Sequence, residues 1–350
     1  MPSSELQQTT SSVQRVPADD DHPATTATVR VAFWNTWLLA PRVWRGGPRM
    51  PGLPGWFGPE VAVRAPLVAE AVADRFDVVA LSEVWDRSEQ EAVAAGWPGA
   101  RYVAGPGARF PRVTGSGLGT LLAPGVELVR SARYSFRENG DPRDSDWFAS
   151  KGALFTAIRV HPDLPPLEVL STHLFAGGDL LPLPGAHHQP RHHEVRLRQL
   201  DELIGFIERL HDPASPLLVV GDLNVGAEDL TVPDHTGRYH DLVERMARAE
   251  LVDLWPLHGV GAGHTCTFRD ASDLPPDPDE PDQVADDPDE DPEDAAGERI
   301  DYLWLHAPSS VRVEVERPRR WAFPGRPAQG GVAGSLSDHL ALSVTLHLGA

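Results

Sequence analysis

Short apolar runs rich in β-branched residues recur along the chain, and stretches with helical spacing of apolar positions separate them. Runs of this length and composition predict buried strands, whereas apolar residues spaced by three and four predict helices that pack on those strands. Most runs have a polar residue where strand and loop meet. The runs are Val29–Trp34, Asp77–Leu81, Ala153–Val160, Leu167–Thr172, Pro216–Val220, Arg299–Trp304 and Leu340–Leu346.

Helices are predicted for Val61–Arg75, for Glu194–Leu210, which is amphipathic, and for residues 238–252. Gly115–Leu122 and Val126–Ala132 predict a strand pair around the turn signal Pro124-Gly125. Strands and helices that alternate in this way predict an α/β protein.

Loop-like segments interrupt this pattern, and we predict one domain over residues 29–348 after a disordered tail, 1–28. Residues 41–59 form a long loop whose aromatics Trp44, Trp56 and Phe57 lie on a lipid interface or fold back on the core. Residues 177–192 form a second loop. Its histidine pairs suggest metal binding, but we interpret them as solvated: His187, His188, His192 and His193, the last just beyond the loop.

Charge is concentrated in one segment. Of the net charge of −20, residues 270–298 contribute 14 acidic residues and no basic ones, so the remainder carries about −6. Such an acidic, proline-rich segment predicts a disordered insertion. A mildly acidic body without a basic track disfavours nucleic acid as a partner.

The composition also bears on cofactors and compartment. The single cysteine, Cys266, excludes an intrachain disulfide and a cysteine-based zinc site. The first 29 residues contain neither a basic nor an apolar leader region, and no stretch is apolar enough to span a membrane. We therefore expect a cytoplasmic protein, with secretion left open if a leader has been removed.

The segment Gly221-Asp222-Leu223-Asn224 follows the buried run that ends at Val220. If the chain stays extended, Asp222 and Asn224 point to the same side and face one substrate, as a phosphate or metal site requires. The alternative is an Asx turn that closes the strand, since both residue types favour turns. Comparable polar residues at the other strand ends favour the first interpretation.

These polar elements together resemble the endonuclease/exonuclease/phosphatase superfamily, and its neutral sphingomyelinase branch in particular. The Ser-Lys-Gly and Thr-Cys elements favour that branch. The residues that carry the resemblance are Asn35-Thr36-Trp37, Ser82-Glu83-Val84-Trp85, Gly115-Ser116-Gly117-Leu118, Ser150-Lys151-Gly152, Ser171-Thr172-His173-Leu174, Gly221-Asp222-Leu223-Asn224, His264-Thr265-Cys266, Arg299-Ile300-Asp301-Tyr302 and Leu336-Ser337-Asp338-His339. The resemblance implies a DNase I-like, four-layer α/β/β/α sandwich, in which two packed mixed sheets are flanked by helices.

The resemblance also implies a role for each residue. Glu83 and Asn35 would bind Mg²⁺, with Asp338 as a direct or water-mediated ligand; Mn²⁺ or Co²⁺ would substitute. His339 would be the general base, oriented by Asp301. The remaining residues would act on substrate: Asp222 and Asn224 on water and phosphate, His173 as a donor to a phosphate oxygen, and Lys151 as a phosphate ligand or a residue of a structural turn.

The implied activity is Mg²⁺-dependent hydrolysis of a phosphoester, sphingomyelinase C-like, on a phospholipid headgroup. A soluble phosphate or pyrophosphate metabolite, or a nucleic acid, is the alternative substrate, and an inactive binding scaffold is the third hypothesis. Secreted bacterial sphingomyelinases have a signal peptide and animal enzymes of this branch have transmembrane segments, neither of which this sequence shows. We therefore expect any contact with membranes to be peripheral, at their surface. We also expect the protein to be a monomer.

Overall fold

The computed structural model describes residues 26–40, 58–142, 144–177, 190–227, 237–267, 274–285, 297–325 and 335–350. Fifteen strands are found in the described residues. They are β1 Thr26–Asn35, β2 Val78–Ser82, β3 Arg101–Ala104, β4 Gly119–Leu122, β5 Glu127–Ser135, β6 Gly152–Arg159, β7 Leu167–His173, β8 Leu217–Asp222, β9 Val252–Asp253, β10 Cys266–Thr267, β11 Gly297–Glu298, β12 Asp301–His306, β13 Arg312–Val315, β14 Arg319–Trp321 and β15 Ala341–Gly349.

Five α-helices are found in the described residues, together with a 3₁₀ turn at Ser145–Phe148. The helices are α1 Val61–Val72, α2 Arg87–Gly96, α3 Pro190–Leu210, α4 Arg238–Ala247 and α5 Leu254–His258. None of them is long and apolar enough to cross a lipid bilayer.

Two mixed sheets contain nearly all the strands. The first has the order β13-β15-β1-β2-β4-β3, with β14 also paired to β15, and the second has the order β5-β6-β7-β8-β12-β9. In each sheet one pair of strands is parallel, β1 with β2 and β7 with β8. Parallel neighbours end at the same edge, so the polar residues that follow them are brought together.

Three layers of apolar side chains hold the sheets and helices together. The middle layer lies between the sheets and includes Val31 and Phe33 of β1 and Val220 of β8. The outer face of the first sheet packs against α1 and α2, and that of the second packs against α3 and α4. This arrangement is the predicted helix–sheet–sheet–helix sandwich.

The predicted strand pair around Pro124-Gly125 is wrong. β4 pairs with β2 and β3 in the first sheet, whereas β5 pairs with β6 in the second. The turn therefore carries the chain from one sheet to the other. A turn signal reports a local change of direction and not which strands become neighbours.

Several predicted boundaries also change. Residues 26–28, assigned to the tail, belong to β1 and pair with β15. Residues 274–285, assigned to the disordered insertion, are ordered: Asp282 forms an ion pair with Arg75, and Gln283 bridges to Trp321. Acidic residues with arginine partners on the body can order a segment whose composition alone predicts disorder. Residues 1–25, 268–273 and 286–296 lie outside the described residues, as do Trp44, Trp56 and Phe57.

Candidate active site

The polar ends of the central strands meet at one edge of the two packed sheets. Asn35 lies opposite Ser82 at the ends of β1 and β2, and His173 lies opposite Asp222 at the ends of β7 and β8. Asp301 begins β12 and pairs with Asp222 from the other side. Sheet register therefore places side chains from distant parts of the sequence next to one another.

Asn35 joins the two sheets. Its Nδ2 donates to Asp222 Oδ2 at 2.9 Å and to Glu83 Oε1 at 3.2 Å, while its Oδ1 accepts from the Trp37 backbone N–H at 3.1 Å. The predicted metal ligand thus presents its donor to the two carboxylates. Turning the amide over would direct its oxygen at both carboxylates, which is favourable only if a cation lies between them.

Glu83 lies in the turn after β2, where its backbone has a positive φ of 62°. Its Oε2 is buried and has no hydrogen-bond partner among the described residues. Burial first, and then the nearby charge of Asp338, raise the pKa of Glu83. A strained backbone that holds an unsatisfied carboxylate is typical of a site that binds a ligand.

The segment after β8 contains an Asx turn. Asp222 Oδ1 accepts from the Asn224 backbone N–H at 2.9 Å, and Asn224 has a φ of 52°, so the strand has ended before that residue. The expectation that Asp222 and Asn224 point the same way in an extended segment is therefore wrong. Asn224 Nδ2 instead donates to the Leu174 carbonyl at 3.2 Å. Burial, followed by the charge of Asp301, raises the pKa of Asp222 to about 7.

His339 and Asp301 form a buried pair. Nδ1 of His339 lies 2.8 Å from Oδ2 of Asp301. Burial lowers the pKa of His339, but the carboxylate of Asp301 and a hydrogen bond with Cys266 outweigh it and hold that pKa well above its usual range. The Trp34 indole N–H donates to the His339 carbonyl at 2.9 Å and fixes the backbone of this histidine.

Lys151 and His173 form a second buried pair. Lys151 Nζ lies 3.0 Å from His173 Nε2, 3.2 Å from Asp146 Oδ2 and 5.5 Å from the centre of the Trp85 ring. An ammonium group only donates, so Nε2 of His173 accepts and the ring hydrogen resides on Nδ1. Nδ1 is buried and has no partner among the described residues. Burial and the charge of Lys151 lower the pKa of His173, so the ring stays neutral.

The donor set fits a hard divalent cation in part. Among the described residues, one group has possible ligand atoms within 4.8 Å of one another: Asp222, Asp301 and His339. This group differs from the predicted ligands Glu83, Asn35 and Asp338. Asp301 Oδ2 and His339 Nδ1 already contact each other, whereas Asp301 Oδ1 and Glu83 Oε2 are both buried without a hydrogen-bond partner among the described residues. Of these two oxygens, Glu83 Oε2 belongs to the carboxylate that contacts the Asn35 amide, so carboxylate and amide oxygens of the kind that Mg²⁺ prefers are available there.

Arg64, which was not predicted from the sequence as a site residue, holds the backbone segments next to the candidate active site. It is completely buried in α1 and donates to the carbonyls of Thr36, Trp37, Leu336 and Pro59. It therefore joins the segment after Asn35 to the segment before Asp338. An arginine in an otherwise apolar helical pattern was the available signal, because a buried arginine requires partners.

His192 and His193 do not lie in a solvated loop. Both belong to α3, where they contact Asp144 and Asp241 respectively, and neither reaches the strand-end site. Pro190 at the first position of the helix was the overlooked signal, since proline favours that position. His187 and His188 lie outside the described residues.

The described residues thus combine two packed mixed sheets with an edge that carries carboxylates and a His–Asp pair. The sequence model of the Endonuclease/Exonuclease/phosphatase family matches residues 32–339, so the chain belongs to this family. Members of the family are hydrolytic phosphoesterases. A sequence comparison with curated proteins found no match.

Solved structures of several differently named proteins have the same fold as this chain. A Staphylococcus aureus beta toxin variant with bound magnesium ions has a TM-score of 0.58 at 14% identity, and the match covers 90% of this chain and 98% of that one. Sphingomyelinase C from Streptomyces griseocarneus has a TM-score of 0.57 at 17% identity, with 92% and 99% covered. D. rerio TDP2 complexed with a single-strand DNA product has a TM-score of 0.55 at 14% identity, with 91% and 98% covered.

Proposed function

We propose that the protein is an Mg²⁺-dependent phosphodiesterase that hydrolyses a phosphoester bond of a phospholipid headgroup, with sphingomyelin as the first candidate. The observation that carries the proposal is the buried His339–Asp301 pair, which lies at the same strand edge as the unsatisfied oxygen of Glu83. A base and a cation-binding carboxylate at one edge are what hydrolysis of a phosphodiester requires.

In this proposal His339 activates water. Because Asp301 holds Nδ1, Nε2 is the ring nitrogen left to take the proton, and the carboxylate stabilises the imidazolium that forms. The pKa of His339 is raised by Asp301, so the base form becomes available only at a higher pH than for an ordinary histidine.

The phosphate would lie against His173. Its Nδ1 hydrogen has no partner among the described residues and would donate to a non-bridging oxygen, where negative charge grows in the transition state. Lys151 fixes the tautomer that makes this donation possible, a more specific role than phosphate binding in general. Asp222 and Asn224 would align the water and a phosphate oxygen.

Glu83 would hold the cation, with Asn35 after its amide has turned and with Asp338 nearby. When bound, the cation neutralises phosphate charge and stabilises the leaving oxygen. Oxygen donors favour Mg²⁺, for which Mn²⁺ or Co²⁺ would substitute. The beta toxin structure with bound magnesium supports this choice.

The acidic body supports a lipid or small-molecule substrate over nucleic acid, because it lacks the basic surface that releases counterions. The sphingomyelinase C fold neighbour supports a phospholipid headgroup. The TDP2 neighbour keeps nucleic acid as an alternative. A cytoplasmic, monomeric protein that contacts membranes at their surface stays a prediction.

The test compares several substrates in the presence of Mg²⁺: sphingomyelin, a chromogenic phosphodiester, a phosphomonoester and plasmid DNA. A general base contributes about 10² to 10⁴ in rate, so His339→Ala should lose that factor on the preferred substrate. His347→Ala is the matched control, since His347 lies on β15 and contacts Glu316 and Thr28 instead of the site. Equal rates for His339→Ala and the unmodified protein, or rates unaffected by chelator, would refute the mechanism.

The order of rates then identifies the substrate class. Fastest turnover of sphingomyelin supports the proposal, whereas fastest cleavage of plasmid DNA or of the monoester identifies one of the alternative substrates. No turnover of any substrate would favour the scaffold hypothesis.

A further inference from the structure

Three exposed apolar side chains cluster on one pair of loops beside the candidate active site. Phe110 is 100% exposed, Val113 64% and Phe148 37%, and they account for half of the large exposed hydrophobic residues in the described part of the chain. Single exposed apolar residues are normal on a protein surface, but a group of them with charged neighbours is typical of an interaction surface. We call these three residues, with Arg109 and Arg112, the Phe110 patch.

Backbone contacts hold the two loops together. The Val113 N–H donates to the Phe148 carbonyl at 2.9 Å, and Thr114 forms a bridge with Ala149. The guanidinium group of Arg112 lies 4.5 Å from the centre of the Trp147 ring. The exposed apolar side chains therefore extend from two loops that are held together by hydrogen bonds and by the contact of Arg112 with Trp147.

The bases of both loops reach the candidate active site. On one loop, Gly117 packs against Trp85 and the Glu83 backbone: a Cβ on Gly117 would lie 3.2 Å from Glu83 Cα. On the other, Lys151 follows directly after the segment containing Phe148 and contacts His173. A surface that docks on the Phe110 patch is thereby held beside the site.

We propose that the Phe110 patch is the docking surface by which the protein binds the headgroup layer of a phospholipid membrane, an inference that rests on the proposed action on lipid. Aromatic side chains at the membrane interface bury their rings at headgroup level while neighbouring arginines reach lipid phosphates. Arg109 and Arg112 supply positive charge in a protein of net charge −20, with Glu138 as the acid that interacts with Arg112. A projecting, fully exposed phenyl ring suits a fluid surface better than a fitted protein pocket.

The experiment measures vesicle binding without turnover. Full-length protein in EDTA is sedimented with vesicles of phosphatidylcholine, sphingomyelin and phosphatidylserine. We expect Phe110→Ala to lower the partition coefficient at least tenfold and Phe110→Ala/Phe148→Ala to lower it further. Val252→Ala is the matched control, because Val252 is 49% exposed and pairs with Leu305, away from the Asp301 end of β12.

Equal binding by Phe110→Ala and the unmodified protein would overturn the proposal, as would no binding by the unmodified protein or an equal loss with Val252→Ala. Thermal unfolding checks that the variants fold, and the fully exposed Phe110 has no packing to lose. Turnover of the chromogenic diester should be unchanged in Phe110→Ala. Failure of the proposed activity would instead abolish diester turnover in every variant while leaving vesicle binding intact, so the two failures are distinguishable.

Discussion

Replacing Asp301 with asparagine tests the base most directly. The Asp301 side chain is completely buried, and its Oδ2 lies 2.8 Å from Nδ1 of His339. Asparagine keeps the size and removes the charge. The asparagine NH₂ group can also donate to Nδ1 of His339, which would place the ring hydrogen on Nε2. Nε2 is the atom proposed to accept a proton from water, so this tautomer could not act as the base.

Two estimates agree on the magnitude. Unit charges 2.8 Å apart interact by about 6 kcal/mol at an effective dielectric constant of 20, which is an order-of-magnitude estimate of what the carboxylate contributes to the imidazolium. The same exchange in serine protease triads costs about 10⁴ in kcat, equivalent to about 5.5 kcal/mol. We expect kcat/KM on a soluble diester to fall by about 10³ to 10⁴.

The assay follows initial rates on a chromogenic phosphodiester with saturating Mg²⁺ from pH 5 to 9. In the unmodified protein the rate should rise with pH, because Asp301 raises the pKa of His339 and protonated His339 cannot act as a base. Asp301→Asn removes the largest interaction that raises this pKa, while burial, which lowers it, and the contact with Cys266 remain. The rising limb of the remaining activity should therefore move to lower pH.

A decrease smaller than tenfold with an unmoved rising limb would refute the assignment of Asp301 as the residue that orients the base. Circular dichroism and thermal unfolding of the variant exclude loss of the fold as the cause. His347→Ala serves again as the control for a histidine–carboxylate contact remote from the site.

Three further results are expected. Glu83→Gln should lower the Mg²⁺ affinity measured by calorimetry by at least about 100-fold. The same variant should have a higher melting temperature without metal, because burial and Asp338 disfavour the charge of the Glu83 carboxylate. Unchanged Mg²⁺ affinity would contradict the assignment of Glu83 as a ligand. In the metal-free protein, the urea concentration at the unfolding midpoint should fall as the pH rises from 4 to 7. The pKa of Asp222 is raised to about 7 in the folded state, so the folded protein keeps a proton that the unfolded protein releases near pH 3.8. Asp222→Asn should flatten this pH dependence of stability, and a dependence that persists in the variant has another source. Gly221→Ala should destabilise the fold by about 1–3 kcal/mol, because the new Cβ would lie 2.3 Å from the Thr172 carbonyl oxygen. Gly107→Ala is the control and should leave stability unchanged, because a Cβ at Gly107 would meet no atom within 4 Å. Equal denaturation midpoints for the two variants would refute the steric argument.

The strand ends were predictable because each depends on a local change from apolar to polar residues. Asp222 and Asp301 are examples, and sheet register then places them opposite each other. The direction of a side chain at a strand end was less predictable. Asn35 presents its NH₂ group to two carboxylates, and the environment that causes this lies 48 and 187 residues further along the chain.

Supporting residues were the hardest to predict. The role of Arg64 becomes clear from the four carbonyls to which it donates, and that of Asp146 from its contact with Lys151. In both cases the partners come from separate segments whose proximity is a property of the fold. Local pattern also failed at Pro124-Gly125, because β4 and β5 find their neighbouring strands in different sheets, among residues distant in the sequence.

The pairing of β1 with β15 has a consequence for biosynthesis. Thr26 lies opposite Gly349, so β1 lies between β2 and β15, a strand that is synthesised long after it. Until that strand emerges, one edge of β1 has no neighbour, and His339 is not yet held between Trp34 and Asp301. Such long-range closure slows folding. Completion of the first sheet and assembly of the candidate active site therefore become a single late event, and a truncated product that stops before His339 would expose a sheet edge without carrying the proposed base.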